Sequence, residues 1–153
     1  MIEHEELHSI LPHRNKMLLL SRIIDYNLEG RTVEAEYDAT ENCLFYDAAA
    51  KGIPAWVGFE FIAQAISALS GIADKARGIP PKFGFILAVS QLQMTLPFFE
   101  AGSIITIRIK ETENMYPVYV FEGEIFLEGK KVLEGRVTVL ELDKETEKRL
   151  LLK

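Results

Sequence analysis

The sequence predicts an α+β domain in which an antiparallel sheet wraps one long central helix. Three observations carry this. The run over 54–77 is apolar on nearly all sides, so other structure must enclose it. Two strand-like runs precede it and four follow it. No internal repeat, low-complexity tract or linker divides the 153 residues, which suits one domain over 1–153, with its core over 7–142 and a charged tail over 143–153.

Taken in order, residues 2–10 read as a short amphipathic helix with Ile2, Leu7 and Ile10 on one side. Leu11-Pro12-His13-Arg14 breaks it, because proline disfavours helix in the residue before it. Residues 17–26 are rich in Leu and Ile and read as a strand, and Asn27-Leu28-Glu29-Gly30 is a turn. Over 31–39, Val33, Ala35 and Tyr37 alternate with Glu34, Glu36 and Asp38, the pattern of a strand with one wet face. Gly52-Ile53-Pro54 leads into the long helix, with proline at or just before its first turn. Lys75 and Arg77 sit at its negative end, and Gly78 follows as a cap.

Inside the helix Glu60 is the one charged residue well away from the ends. Glu60, Gln64, Ser67 and Gly71 recur at spacings that align them as one narrow polar or small stripe. Pro80-Pro81 ends the connection. Strands are expected over 83–96, 104–113, 118–127 and 131–142, with Glu128-Gly129 as a hairpin turn.

The net charge of -6 and the lack of an aromatic-plus-basic stripe argue against nucleic-acid binding. The single cysteine, Cys43, permits no internal disulfide and suits a reducing, cytoplasmic setting. It reads as a buried structural thiol, since no histidine lies near it in sequence. The acidic N-terminus has no apolar segment of a signal peptide. Residues 53–73 are apolar enough to suggest a membrane span, but Glu60 and Gln64 lie in them, and a carboxylate mid-span costs about 3 kcal/mol. A buried helix is expected instead.

Residues 11–24, from Leu11-Pro12-His13-Arg14 through Met17-Leu18-Leu19-Leu20-Ser21-Arg22, resemble the "LPHR…LL-DR-" opening of the FabZ/FabA-type 3-hydroxyacyl-(acyl-carrier-protein) dehydratases. Pro54, then Glu60, then Ala63-Gln64 is similar to that family's "PG……E-MAQ" helix, and the stretch from Pro54 to Gln64, with Ser70-Gly71, looks closer still to the ApeP-like branch. Phe85-Ile86-Leu87-Ala88 through Gly102 resembles the segment after the family helix. The resemblance covers residues 7–140. It implies a hotdog fold and a dimer, homo- or heteromeric, with each acyl tunnel between two subunits. It implies dehydration of a 3-hydroxyacyl thioester, carried on acyl-carrier protein or CoA, in fatty-acid-like or aryl-polyene-like biosynthesis. It implies no cofactor and no metal.

One departure matters. The family's "GHFPG" histidine lies eight residues before the helix proline, where this chain has Tyr46, followed by Asp47. No histidine follows Arg14.

Dehydration needs a base for the α-proton, an acid for the leaving hydroxyl and a partner for charge on the thioester oxygen. Unpaired amides at a helix start suit the last role, here those of Trp56, Val57 and Gly58. Glu60 suits the acid role, because an apolar site raises a carboxyl's pKa; its plainer reading is a solvent-facing residue or one bonded to Gln64. His13 is the leading base, against a histidine that only orders its turn. Gln64 either holds Glu60 or bridges to a strand. Tyr46 and Asp47 either replace part of the missing histidine or are loop residues. His4 and His8 read as exposed. Trp56, Phe59 and Phe61 line a tunnel or are core. Lys75, Arg77 and Lys82 are a docking patch for an acidic carrier or a solvated helix end. Two alternatives stay open: a hotdog thioesterase using Glu60, and a non-catalytic hotdog subunit that pairs with an active one.

Overall fold

The structure, a computed structural model, describes residues 1–80, 82, 84–142 and 148–149. In chain order its elements are β1 (Ile2–Glu3), α1 (His4–Leu7), β2 (Arg22–Asn27), β3 (Thr32–Asp38), β4 (Gly52–Pro54), α2 (Gly58–Ala76), β5 (Gly84–Met94), β6 (Phe98–Glu100), β7 (Ile104–Met115), β8 (Val118–Leu127) and β9 (Lys130–Glu141). Seven strands form one antiparallel sheet in the order β1-β2-β3-β7-β8-β9-β5, and β4 pairs with β6 separately. The sheet curls around α2, which is the expected α+β hotdog arrangement.

The alternation read over 31–39 explains the middle of the sheet. Val33, Ala35 and Tyr37 pair with Ile109, Ile107 and Ile105, so six apolar side chains share the inner face across one strand boundary. Glu128 and Gly129 join β8 to β9 with positive φ angles of 49° and 79°, the backbone a two-residue hairpin demands. Against this face α2 lays Phe61, Ile62, Ala65, Ala68 and Leu69, all fully buried. Burying a side chain such as Phe61 or Leu69 contributes about 1.5–3 kcal/mol. Gly123 lets β8 approach closely: a Cβ there would come within 2.6 Å of Ile62 Cγ2.

Several boundaries differ from the sequence reading, each for a local reason. The helix starts at Gly58 rather than Pro54. Pro54 is extended and belongs to β4, the Ala55 N–H donates to the Pro97 carbonyl at 2.9 Å, and 55–57 is a 3-10 turn. Glu60 therefore lies in the first turn of α2, not well inside it. The helix expected over 2–10 is confined to His4–Leu7, because Ile2 and Glu3 pair with Ile23 and Arg22. The strand expected from Met17 begins at Arg22; 15–17 is a 3-10 turn and Met17 is exposed, although Leu18, Leu19 and Leu20 are buried. Gly78 takes a φ of 71° as the expected cap. Cys43 is half-buried rather than buried. Apart from Lys148 and Arg149, the charged tail over 143–153 lies outside the described residues, as do Pro81 and Phe83.

Ala55–Ala76 is long and apolar enough to cross a membrane, with 22 residues and a mean hydropathy of 1.3, yet 67% of its apolar window is buried within the protein. It is the core helix of the fold.

Candidate active site

The polar and small stripe on α2 is the track along which the N-terminal segment lies. Gly71 admits the backbone, since a Cβ there would stand 1.9 Å from the Ile10 carbonyl oxygen. Gln64, fully buried, accepts a hydrogen bond from the Leu19 N–H at 2.8 Å and donates to the Met17 carbonyl at 2.7 Å. Between these anchors the chain carries Pro12, His13 and Arg14 across the face that bears Glu60. The Arg14 guanidinium donates to the carbonyls of Leu11, His13 and His8 at 2.6, 2.7 and 2.9 Å, so it pins the loop that carries His13.

His13 and Glu60 meet as a result. His13 Nε2 lies 3.9 Å from Glu60 Oε1. That is beyond hydrogen-bonding range and leaves both groups free to reach one substrate lying beside them. Both line one cavity of about 110 Å³ with Pro12, Ala63, Ser67 and Glu141.

The electrostatics move the two groups in opposite directions. Burial holds His13 below its ordinary value, and the Arg14 charge adds to this. Its Nδ1 is buried with no hydrogen-bond partner among the described residues, which further disfavours an imidazolium needing two acceptors. Burial raises the Glu60 carboxyl above its ordinary value, and the hydrogen bond from Gln64 Nε2, 3.2 Å long, pulls partly back. The pair thus leans toward neutral imidazole and protonated carboxyl.

The other expected residues are placed differently. Val57 is fully buried, and a Cβ on Gly58 would meet Leu133 and Ile125 at 2.6 and 2.9 Å, so Gly58 faces the sheet; neither residue lines the cavity. The Gly58 N–H is spent on the Ala55 carbonyl, so that amide is not the free donor expected at the helix start. Trp56 is half exposed, stacked on Phe59 at 6.3 Å and edge-on to Phe45 at 5.9 Å, outside the cavity lining. Tyr46 also lies outside it; its N–H donates to the Cys43 carbonyl at 3.0 Å within the loop before β4. Asp47 accepts from the Ala49 and Ala50 amides, a loop role. Phe61 is core, packed on Tyr37 and Phe99. His4 donates from Nδ1 to the Leu20 carbonyl at 3.2 Å and does not line the cavity.

Lys82, read with Lys75 and Arg77 as a local basic group, is ion-paired. Its Nζ lies 3.2 Å from Asp74 Oδ1, and Asp74 is buried. Sequence reasoning missed Asp74 and Glu141. Glu141 lines the same cavity as His13 from the end of β9, but a single Glu at a strand end gave no cue to burial.

Residues 5–150 match the family model of the ApeP dehydratases. The chain belongs to the ApeP-like dehydratase family. Among curated relatives, a FabZ 3-hydroxyacyl-(acyl-carrier-protein) dehydratase from Campylobacter hominis is 24% identical over 147 residues, covering 94% of this chain and all of that protein. One from Actinobacillus pleuropneumoniae is 27% identical over 138 residues, 88% of each chain. Among solved structures, the dehydratase heterocomplex ApeI:P from Xenorhabdus doucetiae superposes with a TM-score of 0.85 at 25% identity, covering 96% of this chain and 97% of that one. A hypothetical thioesterase with coenzyme A from Streptococcus pneumoniae reaches a TM-score of 0.60 at 13% identity over 91% and 93% of the two chains, a likeness of fold alone. For this ApeP-like dehydratase the hotdog assignment and the dehydratase class stand together.

Proposed function

We propose that this chain dehydrates a 3-hydroxyacyl thioester, carried on an acyl-carrier protein, to the trans-2-enoyl form, with His13 as base and Glu60 as acid. The observation that carries the reading is the 3.9 Å approach of His13 Nε2 to Glu60 Oε1 inside one cavity. Neutral His13 takes the α-proton. The electrons of that C–H bond form the new double bond as the C3–O bond breaks. Glu60 gives its proton to the departing oxygen, and water leaves. The imidazolium and carboxylate left behind face each other, so a proton returned from His13 to Glu60 restores the starting forms. Gln64 is the positioning residue for Glu60. The relatives named above support a carrier-protein substrate and a place in fatty-acid-like or aryl-polyene-like biosynthesis, and the single thiol Cys43 suits the cytoplasm.

A second subunit belongs to this reading. β5 ends the sheet, so its outer edge has no strand beside it among the described residues. Phe85, Ile86, Leu87, Val89 and Met94 stand exposed along it. A long apolar edge left in water promotes pairing with another chain. Phe85 and Ile86 also line the cavity, so a partner on β5 would help wall it. The likeness to a dehydratase heterocomplex supports a different hotdog chain as that partner.

The test is turnover by the purified chain, alone and with a second hotdog subunit, followed by enoyl absorbance and by thiol release. Enoyl product that Glu60→Gln abolishes supports the proposal. Thiol release without enoyl product would mean a thioesterase, with Glu60 activating water or attacking the carbonyl. Turnover only with the partner, unchanged by Glu60→Gln, would make this chain the supporting subunit.

A further inference from the structure

The His13 imidazole makes no hydrogen bond among the described residues. Its Nδ1 is buried without a partner, and its Nε2 stops 3.9 Å short of Glu60. The peptide beneath it is held just as sparsely. Neither Pro12 nor His13 joins a main-chain hydrogen bond among the described residues, and proline has no N–H to give. The one group that reaches this peptide is a side chain: Arg14 Nη1 donates to the His13 carbonyl at 2.7 Å. With no bond of its own, the ring follows its backbone, and whatever fixes that backbone fixes the ring.

The same guanidinium gathers the rest of the segment. Nη1 also donates to the Leu11 carbonyl at 2.6 Å, and Nη2 donates to the His8 carbonyl at 2.9 Å. Both N–H groups of Nη1 and one of Nη2 are thus spent on carbonyls of a single loop. Leu11 is a firm anchor, since it is fully buried and its own N–H donates to the Leu7 carbonyl at 2.8 Å. Downstream, the Arg14 carbonyl accepts from the Met17 N–H at 3.1 Å, and the Met17 carbonyl accepts from Gln64 at 2.7 Å. Gln64 also donates to Glu60 at 3.2 Å. Hydrogen bonds therefore run from the peptide that bears the imidazole, through Arg14, to the residue that holds the carboxyl.

We propose that Arg14 is a positioning residue for His13: its guanidinium, bonded to the His8, Leu11 and His13 carbonyls, sets the imidazole against Glu60. Arg14 does not line the cavity, so it acts through His13 and touches no reacting atom. A lysine in its place would carry the charge without the arrangement. Its single nitrogen cannot span carbonyls that the planar fork reaches from two nitrogens. Freed from the fork, the peptide and its unbonded ring would shift, and a displacement of about 1 Å in a reacting group costs about a hundredfold in rate.

This rests on the reading of His13 and Glu60 as base and acid, and the experiment separates the two. Arg14→Lys and Arg14→Gln are compared with the wild type in the full chain, with its partner subunit if turnover requires one. The first readout is the nuclear Overhauser cross-peak between the His13 ring protons and the Glu60 side-chain protons, which needs no catalysis. The second is kcat and KM for a 3-hydroxyacyl thioester. The expected result is loss of the cross-peak in both variants, with kcat lower by about tenfold to a hundredfold and KM within about twofold of the wild type. Thermal melts confirm that both variants fold. A wild-type cross-peak or a wild-type kcat in either variant would overturn the proposal, as would a loss of kcat/KM carried by KM alone. Absence of the cross-peak from the wild type would overturn the pairing of His13 with Glu60 as well. The expected loss of the cross-peak, found in a chain that does not convert the thioester, would sustain the role of Arg14 and remove only the dehydration.

Discussion

Glu60 and Glu141 line one cavity from different elements, and burial lifts both above the ordinary carboxylate range. Their neighbours differ. Glu60 faces an imidazole that burial keeps neutral, and its own hydrogen-bond donor is the uncharged Gln64. Glu141 shares its corner with Ser70 and with the fields of Lys82, Asp74 and Arg31. The first has a partner that can accept a proton across a gap. The neighbours that shift the second are a hydroxyl and three charged groups, none of them a neutral base. Raised carboxyls are common where burial is deep; what suits one of them to donate a proton is the neighbour it faces.

The largest effect is expected at Glu60. Glu60→Gln should lower the rate by about 10²–10⁴-fold and leave the melting temperature at neutral pH equal or higher. A carboxyl raised in the native state gives its full stability below the unfolded value of 4.5 and loses it as pH rises through the native one, so an amide escapes that loss. Turnover and thermal melts check both halves. If Glu141→Gln cost as much in rate as Glu60→Gln, the distinction drawn between the two carboxyls would fail. His13→Gln should cost about the same factor in rate as Glu60→Gln. It should also remove the acid limb of the pH profile, which in the wild type lies below the ordinary histidine value of 6.5 because His13 is held low.

Lys82→Met should act on stability, by about 3–5 kcal/mol in urea titration, because it leaves the buried Asp74 without its cation. Gly71→Ala should cost about 1–3 kcal/mol by pushing on the Ile10 carbonyl, and should lower the rate by displacing the loop that carries His13. Gln64→Met is the finest probe of the Glu60 end. It strands the Leu19 N–H, worth about 1–3 kcal/mol. It also removes the bond that holds Glu60 down, so the alkaline limb of the pH profile should move to higher pH.

Much of the site was legible in the order of the residues. The stripe of Glu60, Gln64, Ser67 and Gly71 was visible as a spacing on an apolar helix, and the fold gives each a contact or a place in the cavity wall. Other residues were misread because spacing carries no depth. Val57 and Gly58 are helix-start residues in sequence, but the 3-10 turn leads into a helix whose Gly58 lies against Leu133 and Ile125. Lys82 looked like part of a basic group until the fold brought Asp74 beside it.

The amino-acid order alone settled the periodicities: the alternation that builds the sheet, the apolar helix it must enclose and the family to which the motifs belong. These are local patterns, and local patterns survive translation into elements. Packing in three dimensions was needed to bring His13 and Glu60 into one cavity, to join the loop to the helix through Gln64 and to bring Glu141 into the same wall. Those are contacts between segments far apart in the chain, fixed by where Gly71 lets a backbone pass and where a sheet edge meets a helix. No periodicity encodes them.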